Sequence, residues 1–273
     1  MNKQLEIKEN YVTIFHRARL YDDAMEIELS LKDYEKALEY WPDDDAALCN
    51  MGFCYRACGQ FEKALTYFEK ARNLLEKGKS KKEYYQAIKC YMALHRYEEA
   101  LKYCKEGSEI FPDDSDFMEL MGSVYERMQE YDKALDAYEK MKGRNHDCYD
   151  NIAEVWIRKG DPKKGIQVLE EGLRQVPKSR KAKSYNELGD IYYVLAEYDK
   201  SIDYYFKATL QEKDPWELFG YELELARAQY LAGSYSSAKG HAKNAFEAMR
   251  KADRTEEDYV SYKAYAPVRI GYM

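Results

Sequence analysis

A chain of 273 residues, 45% hydrophobic and 34% charged, carries enough apolar material for a core, which excludes intrinsic disorder as its main state. With only 14 glycines and 6 prolines it is poorly supplied for an all-β fold of many tight turns, and a net charge of −7 excludes a nucleic-acid surface built on bulk positive charge. The first twenty residues show no apolar stretch with a cleavage site, and no run reaches the roughly 18 apolar residues that span a bilayer, so the expectation is a soluble, cytoplasmic chain without membrane contact.

Taken in chain order, residues 1–10 read as a lead-in. From Tyr11 the spacing predicts a helix with Ala18 and Tyr21 on one face, and "YEKALEYWPDDD" supplies Tyr34, Ala37 and Pro42 as the closing half of the same unit. The next copy is clearer, with Gly52, Tyr55, Phe61 and Ala64 followed by Phe68 and Ala71. A weaker copy has Tyr91, Tyr97, Ala100 and Pro112, with Ile88 where the small residue belongs. Gly122, Tyr125, Tyr131 and Ala134 restore the pattern and continue to Tyr138 and Met141, within the phrase "EYDKALDAYEK". Then come Ala153, Trp156, Gly165, Gly172 and Pro177, where "KGDPKKG" offers Asp161 as a helix cap and Pro162 as a first helical residue. Gly189, Tyr192, Tyr198 and Ser201 lead to Tyr205 and Ala208. The last copy keeps Ala226, Tyr235, Ala238 and Ala245 but shows Gln229 where an aromatic is expected. Units therefore start near residues 11, 45, 81, 115, 146, 182 and 219 and fill 11–252. Residues 253–273, "DRTEEDYVSYKAYAPVRIGYM", break the register and read as a capping helix or the start of a truncated further unit.

Apolar residues at i, i+3, i+4 and i+7 make each segment an amphipathic helix that is marginal alone, because helix nucleation is costly. Small residues let neighbouring helices approach, aromatics fill the remaining space, and Pro and Asp in "WPDDD" and "FPDDS" stop one helix and cap the next. Stacked pairs then bury a continuous core through contacts between neighbours. Tyr, at 28 against 9 Phe and 3 Trp, suits helices buried on one side only.

The pattern resembles the tetratricopeptide repeat, with its period near 34 residues. The resemblance implies an all-α, right-handed superhelical solenoid of about seven stacked antiparallel helix pairs, with a concave groove lined by the first helix of each pair. Mapped onto this chain, the lining residues are Asn50, Phe53 and Arg56, then Lys82, Tyr85, Gln86 and Lys89. The fourth unit gives Asp116, Glu119, Ser123, Glu126 and Arg127, and the fifth Asp147, Asp150, Asn151, Glu154 and Arg158. The sixth gives Lys183, Asn186, Glu187, Asp190 and Tyr193. The groove is thus mildly basic and amide-bearing in units two and three, and acidic across units four to six, with eight carboxylates against three cations. Some members of this family grip a C-terminal carboxylate with Lys, Asn and Arg; here Asn50 and Lys82 match, but Phe15, Arg19 and Gln86 replace the rest, so that ligand is not expected.

Catalytic groups do not cluster. His16, His95, His146 and His241 are scattered over different units, and no HExxH, Walker loop or GxSxG occurs. The basic run from Lys77 to Lys82 reads as a solvated loop, and the six cysteines, none in a CxxC pair, as reduced and buried thiols. No cofactor or metal is expected. The reading is a non-enzymatic scaffold that binds a protein or peptide in its groove, in particular an extended basic or amide-rich segment. Alternatives are a structural, self-assembling module or the regulatory sensor array of a larger protein.

Overall fold

The computed structural model describes residues 2–74, 80–143, 145, 148–175, 177 and 181–252, with side chains from residue 10 onward. The expected capping segment 253–273, His146, Asp147 and residues 77–79 of the basic loop lie outside the described residues. Among the described residues there are fourteen helices and no strand. They form pairs: α1 (Asn2–Asp23) with α2 (Ile27–Tyr40), α3 (Asp45–Ala57) with α4 (Phe61–Leu74), α5 (Lys82–Ala93) with α6 (Tyr97–Ile110), and α7 (Asp116–Arg127) with α8 (Tyr131–Glu139). These eight belong to one compact unit, Met1–Lys140. A second unit, Met141–Met273, holds α9 (Cys148–Arg158) with α10 (Pro162–Gln175), α11 (Lys181–Val194) with α12 (Tyr198–Gln211), and α13 (Pro215–Leu231) with α14 (Tyr235–Lys251). Helix α1 begins at Asn2, so the residues read as a lead-in belong to it; "NKQLEIKEN" is rich in helix formers and holds no breaker.

The same turn closes every pair. At Gly59 (φ +70°) the Gly59 N–H donates to the Arg56 carbonyl at 3.0 Å and the Gln60 N–H to that of Tyr55 at 2.9 Å, the two bonds of a Schellman end. Equivalent bonds close the turns at Met25, His95, Gln129, Gly160, Ala196 and Gly233, all with positive φ. Glycine adopts this conformation at no steric cost, yet Met25, His95, Gln129 and Ala196 hold it too. The carbonyl reached by the bond that spans five residues belongs to the aromatic position of the repeat, from Tyr21 through Tyr192, and in the last pair to Gln229.

A cation from the second helix then covers that aromatic ring. Lys63 Nζ lies 5.3 Å from the centre of Tyr55, Lys133 5.5 Å from Tyr125, Lys164 4.1 Å from Trp156 and Lys200 4.9 Å from Tyr192. Lys133 is part of "EYDKALDAYEK", so the charged face of that phrase, which its pattern assigns to solvent, also shields the neighbouring ring. Small residues are needed where rings cross between helices. A methyl group at Gly52 would meet Phe68 at 2.6 Å, and one at Gly122 or Gly189 would overlap Tyr138 or Tyr205.

In the first unit Phe68, Ile88, Cys104 and Phe117 are completely buried in a core running through α3 to α7, and Tyr34 with Met51 extends it to α1 and α2. In the second unit Leu169 and Leu188 centre one cluster, Tyr205 and Leu225 a second, and Phe219 with Ala245 a third. Cysteines 49, 54, 90, 104 and 148 are buried, and burial pushes the Cys49 thiol up to about 12; Cys58, at the end of α3, is exposed, which departs from the expectation of uniformly buried thiols.

Candidate functional site: the first-helix face

In the first unit the first helices α3 and α5 touch one another, as do α5 and α7, so their outer sides form one continuous face. Phe53 is half-buried there, edge-on to Phe68 at 5.4 Å, with Lys82 Nζ 4.4 Å and the Arg56 guanidinium 5.9 Å from its ring. Tyr85 packs 4.6 Å from Phe117, and burial together with the Asp114 and Asp116 carboxylates raises its pKa. Lys81 pairs with Asp114 beside it, whereas Lys89 and Arg127 are exposed. Asn50, Glu119 and Ser123 are half-buried. The Arg56 Nε and Gln86 Oε1 atoms are buried and make no hydrogen bond. At the far end Tyr138 Oη donates to Glu126 Oε1 at 2.6 Å and lies 3.3 Å from Ser123 Oγ.

In the second unit Asp150 is only 8% exposed. Its Oδ1 accepts from Ser184 Oγ at 3.2 Å and its Oδ2 pairs with Lys183 at 2.9 Å, so it ties α9 to α11. Lys183 also lies 3.9 Å from Glu187. Glu154 and Arg158 pair at 2.7 Å one turn apart, and Asn151 is half-buried between these sets. Asp190 accepts from Tyr205 Oη at 2.6 Å and from Asn186 Nδ2 at 3.3 Å, while Asn186 Oδ1 is buried without a partner. Tyr193 stacks under Arg227, 4.7 Å away, and Arg227 pairs with Glu224 at 3.4 Å. Burial raises the Glu224 pKa against the opposing pull of Arg227.

The residues picked from the pattern are thus gathered by pairs of adjacent first helices, α3 with α5 and α9 with α11. Much of the acidity foreseen for the face is compensated internally, by Lys183 at Asp150 and by Arg158 at Glu154. Glu224 and Arg227 were absent from the predicted set, although counting the same lining positions from residue 219 would have found them. Tyr138 and Tyr205 were assigned to packing alone, and no sequence signal tells where a hydroxyl at the tip of a buried ring emerges. Among the described residues no cluster of three or more His, Cys, Asp or Glu could hold a metal ion, and no helix is long and apolar enough to cross a membrane.

Models of the tetratricopeptide repeat match residues 46–76, 118–147 and 182–214, which correspond to the second, fourth and sixth helix pairs. The chain is a tetratricopeptide-repeat protein, with the all-α stacked-pair fold of protein–protein interaction scaffolds. A tetratricopeptide repeat protein from Parabacteroides merdae superposes with a TM-score of 0.60 at 15% identity, covering 90% of this chain and 93% of that one. PilF of Pseudomonas aeruginosa does so at 0.54 and 17% identity, covering 82% and 99%. In sequence, the chain is 26% identical to the RNA polymerase-associated protein CTR9 of Caenorhabditis elegans over 177 residues, 59% of this chain. It is also 26% identical to subunit 3 of the anaphase-promoting complex of Schizosaccharomyces pombe over 102 residues, 37% of this chain. It spans 15% of the length of either relative.

Proposed function

We propose that the chain is a non-enzymatic, cytoplasmic scaffold that holds an extended protein segment along the first helices of its repeats. One observation carries this reading: the buried polar atoms Arg56 Nε, Gln86 Oε1 and Asn186 Oδ1, all on first helices, make no hydrogen bond. A buried polar group left unpaired costs free energy; Arg56, Gln86 and Asn186 are each half-buried as residues, so rotation of the side chain would bring the atom to the backbone donors and acceptors of an extended segment. Phe53, Tyr85 and Tyr193, on the same helices, supply apolar contact area at small entropic cost. The relatives named as associated with RNA polymerase and as a subunit of a larger complex support the same role, that of one member of an assembly.

The test is selection of random twelve-residue peptides on the intact chain, followed by titration of the selected peptides. Gln86→Ala, in the first unit, and Asn186→Ala, in the second, should each weaken the peptides held by their own unit about 5- to 10-fold, the effect of one lost hydrogen bond, without lowering the melting temperature. Charge reversal at Asp150 is a poor probe, because its buried carboxylate joins two helices. Unaltered affinity in both amide variants would refute the reading.

A further inference from the structure

Cations on the first helices have different fates in the two units. In the second unit Lys183 pairs with Asp150, Arg158 with Glu154 and Arg227 with Glu224. In the first unit Arg56 of α3, with Lys82 and Lys89 of α5, forms no ion pair among the described residues. These two helices carry only two carboxylates of their own, Asp45 in the first turn of α3 and Glu83 in that of α5. Glu83 is 5% exposed and lies against the Cys49 thiol between the helices, so it is withdrawn from the outer face. Asp114, in the turn before α7, is taken by Lys81. What remains outward is a positive stretch gathered on one ring: Lys82 Nζ and the Arg56 guanidinium lie 4.4 and 5.9 Å from the centre of Phe53. Lys89 follows two turns after Lys82, on the same side of α5.

We propose that the α3–α5 face selects an acidic segment, whose Asp and Glu side chains, rather than its chain end, meet Arg56, Lys82 and Lys89. The inference rests on the reading of the first-helix face as a peptide groove and names the class of segment that its first unit takes. A cation resting on an aromatic ring is held in place while its N–H groups stay available to an anion, so part of the ordering cost is met before binding. Charge-assisted hydrogen bonds to carboxylates are stronger than neutral ones, and a basic segment would meet like charge. Helix α7 brings Asp116 and Glu119 to the next repeat, so the preference for acid ends at α5.

The experiment takes the twelve-residue peptides selected on the intact chain, synthesises them with an amidated C-terminus, and assigns to the first unit those that Gln86→Ala weakens. Their affinities are then measured on a Lys82→Gln/Lys89→Gln variant and on a Lys32→Gln/Lys105→Gln control. Lys32 and Lys105 are exposed on the second helices α2 and α6, so both double variants lose the same net charge and differ only in the face they alter. The assigned peptides should be rich in Asp and Glu, and the Lys82→Gln/Lys89→Gln variant should bind them about 10-fold more weakly while the control changes less than about 2-fold. Assigned peptides without an excess of acid, equal losses in the two double variants, or binding abolished by amidation would each overturn the acidic class and leave the groove reading standing. If Gln86→Ala weakens no selected peptide, the groove reading for this unit and the inference fall together.

Discussion

At Gly122 an added methyl would overlap the ring of Tyr138, whereas at Gly240, inside α14, nothing lies within 4 Å of the same methyl. The same substitution should therefore have opposite signs at the two sites. Gly122→Ala is expected to lower stability by about 1–3 kcal/mol, the cost of overpacking a closed core. Gly240→Ala should raise it by about 0.5–1 kcal/mol, because alanine loses less backbone entropy in a helix. A second contrast concerns the turns. Gln129 and Ala196 sit at φ +60° and +57° in turns where Gly59 and Gly160 hold the equivalent place. Relief of the left-handed strain should make Gln129→Gly and Ala196→Gly more stable by about 0.5–1 kcal/mol, and Gly160→Ala should lose about as much. Urea midpoints at unchanged slope would measure all five variants.

At the scale of elements, the joint between α1 and α2 rests on a bidentate pair: Arg17 Nε and Nη2 both donate to Asp33, the latter at 2.7 Å. The hydrogen bond from Arg17 holds the Asp33 carboxyl below its ordinary range, against the opposing effect of its burial. A carboxylate with a lowered folded pKa stabilises the protein above the unfolded value of about 3.9 and loses that contribution as pH falls through the folded one. Thermal melts between pH 2 and 5 should therefore show a decline that Asp33→Asn makes shallower; parallel profiles for the two proteins would count against this joint. The start of α13 depends on a cap, with Asp214 Oδ1 accepting from the Trp216 and Glu217 N–H groups at 2.9 and 3.1 Å. Asp214→Ala should cost about 1 kcal/mol in thermal or urea unfolding, most of it local to that helix.

Over the whole molecule, helices pack chiefly on their neighbours in sequence. Stability in such arrays is a sum of repeat and nearest-neighbour terms, so damage should remain local. Hydrogen exchange of a Gly189→Ala variant is expected to rise first in α11, α12 and α13, which pack in succession, and to leave α1 to α4 unchanged. A uniform rise along the chain would instead mark a single cooperative block.

The fold was readable because its information is local. Gly52, Ala64 and Ala71 recur at helical spacing, and spacing along one helix decides which side chains share a buried face. Asp161 and Pro162 signalled a helix start that the structure shows, with the Lys164 N–H donating to Asp161 at 3.2 Å. The face-lining residues were readable only as positions. Asp150 and Asn186 occupy the same lining position of successive repeats, yet the carboxylate is tied to Ser184 and Lys183 while the amide keeps a buried oxygen without a hydrogen bond. That difference depends on which atoms come within 3 Å across a helix pair, and no periodicity encodes it. The amino-acid sequence by itself determined the repeat, its register and its turns, since these follow from propensity and pattern within about 34 residues. Tertiary structure alone decided where the tyrosine hydroxyls end, which acids are neutralised and which amide oxygens lack a hydrogen bond, because hydrogen bonds act over a few ångströms between residues that only packing brings together.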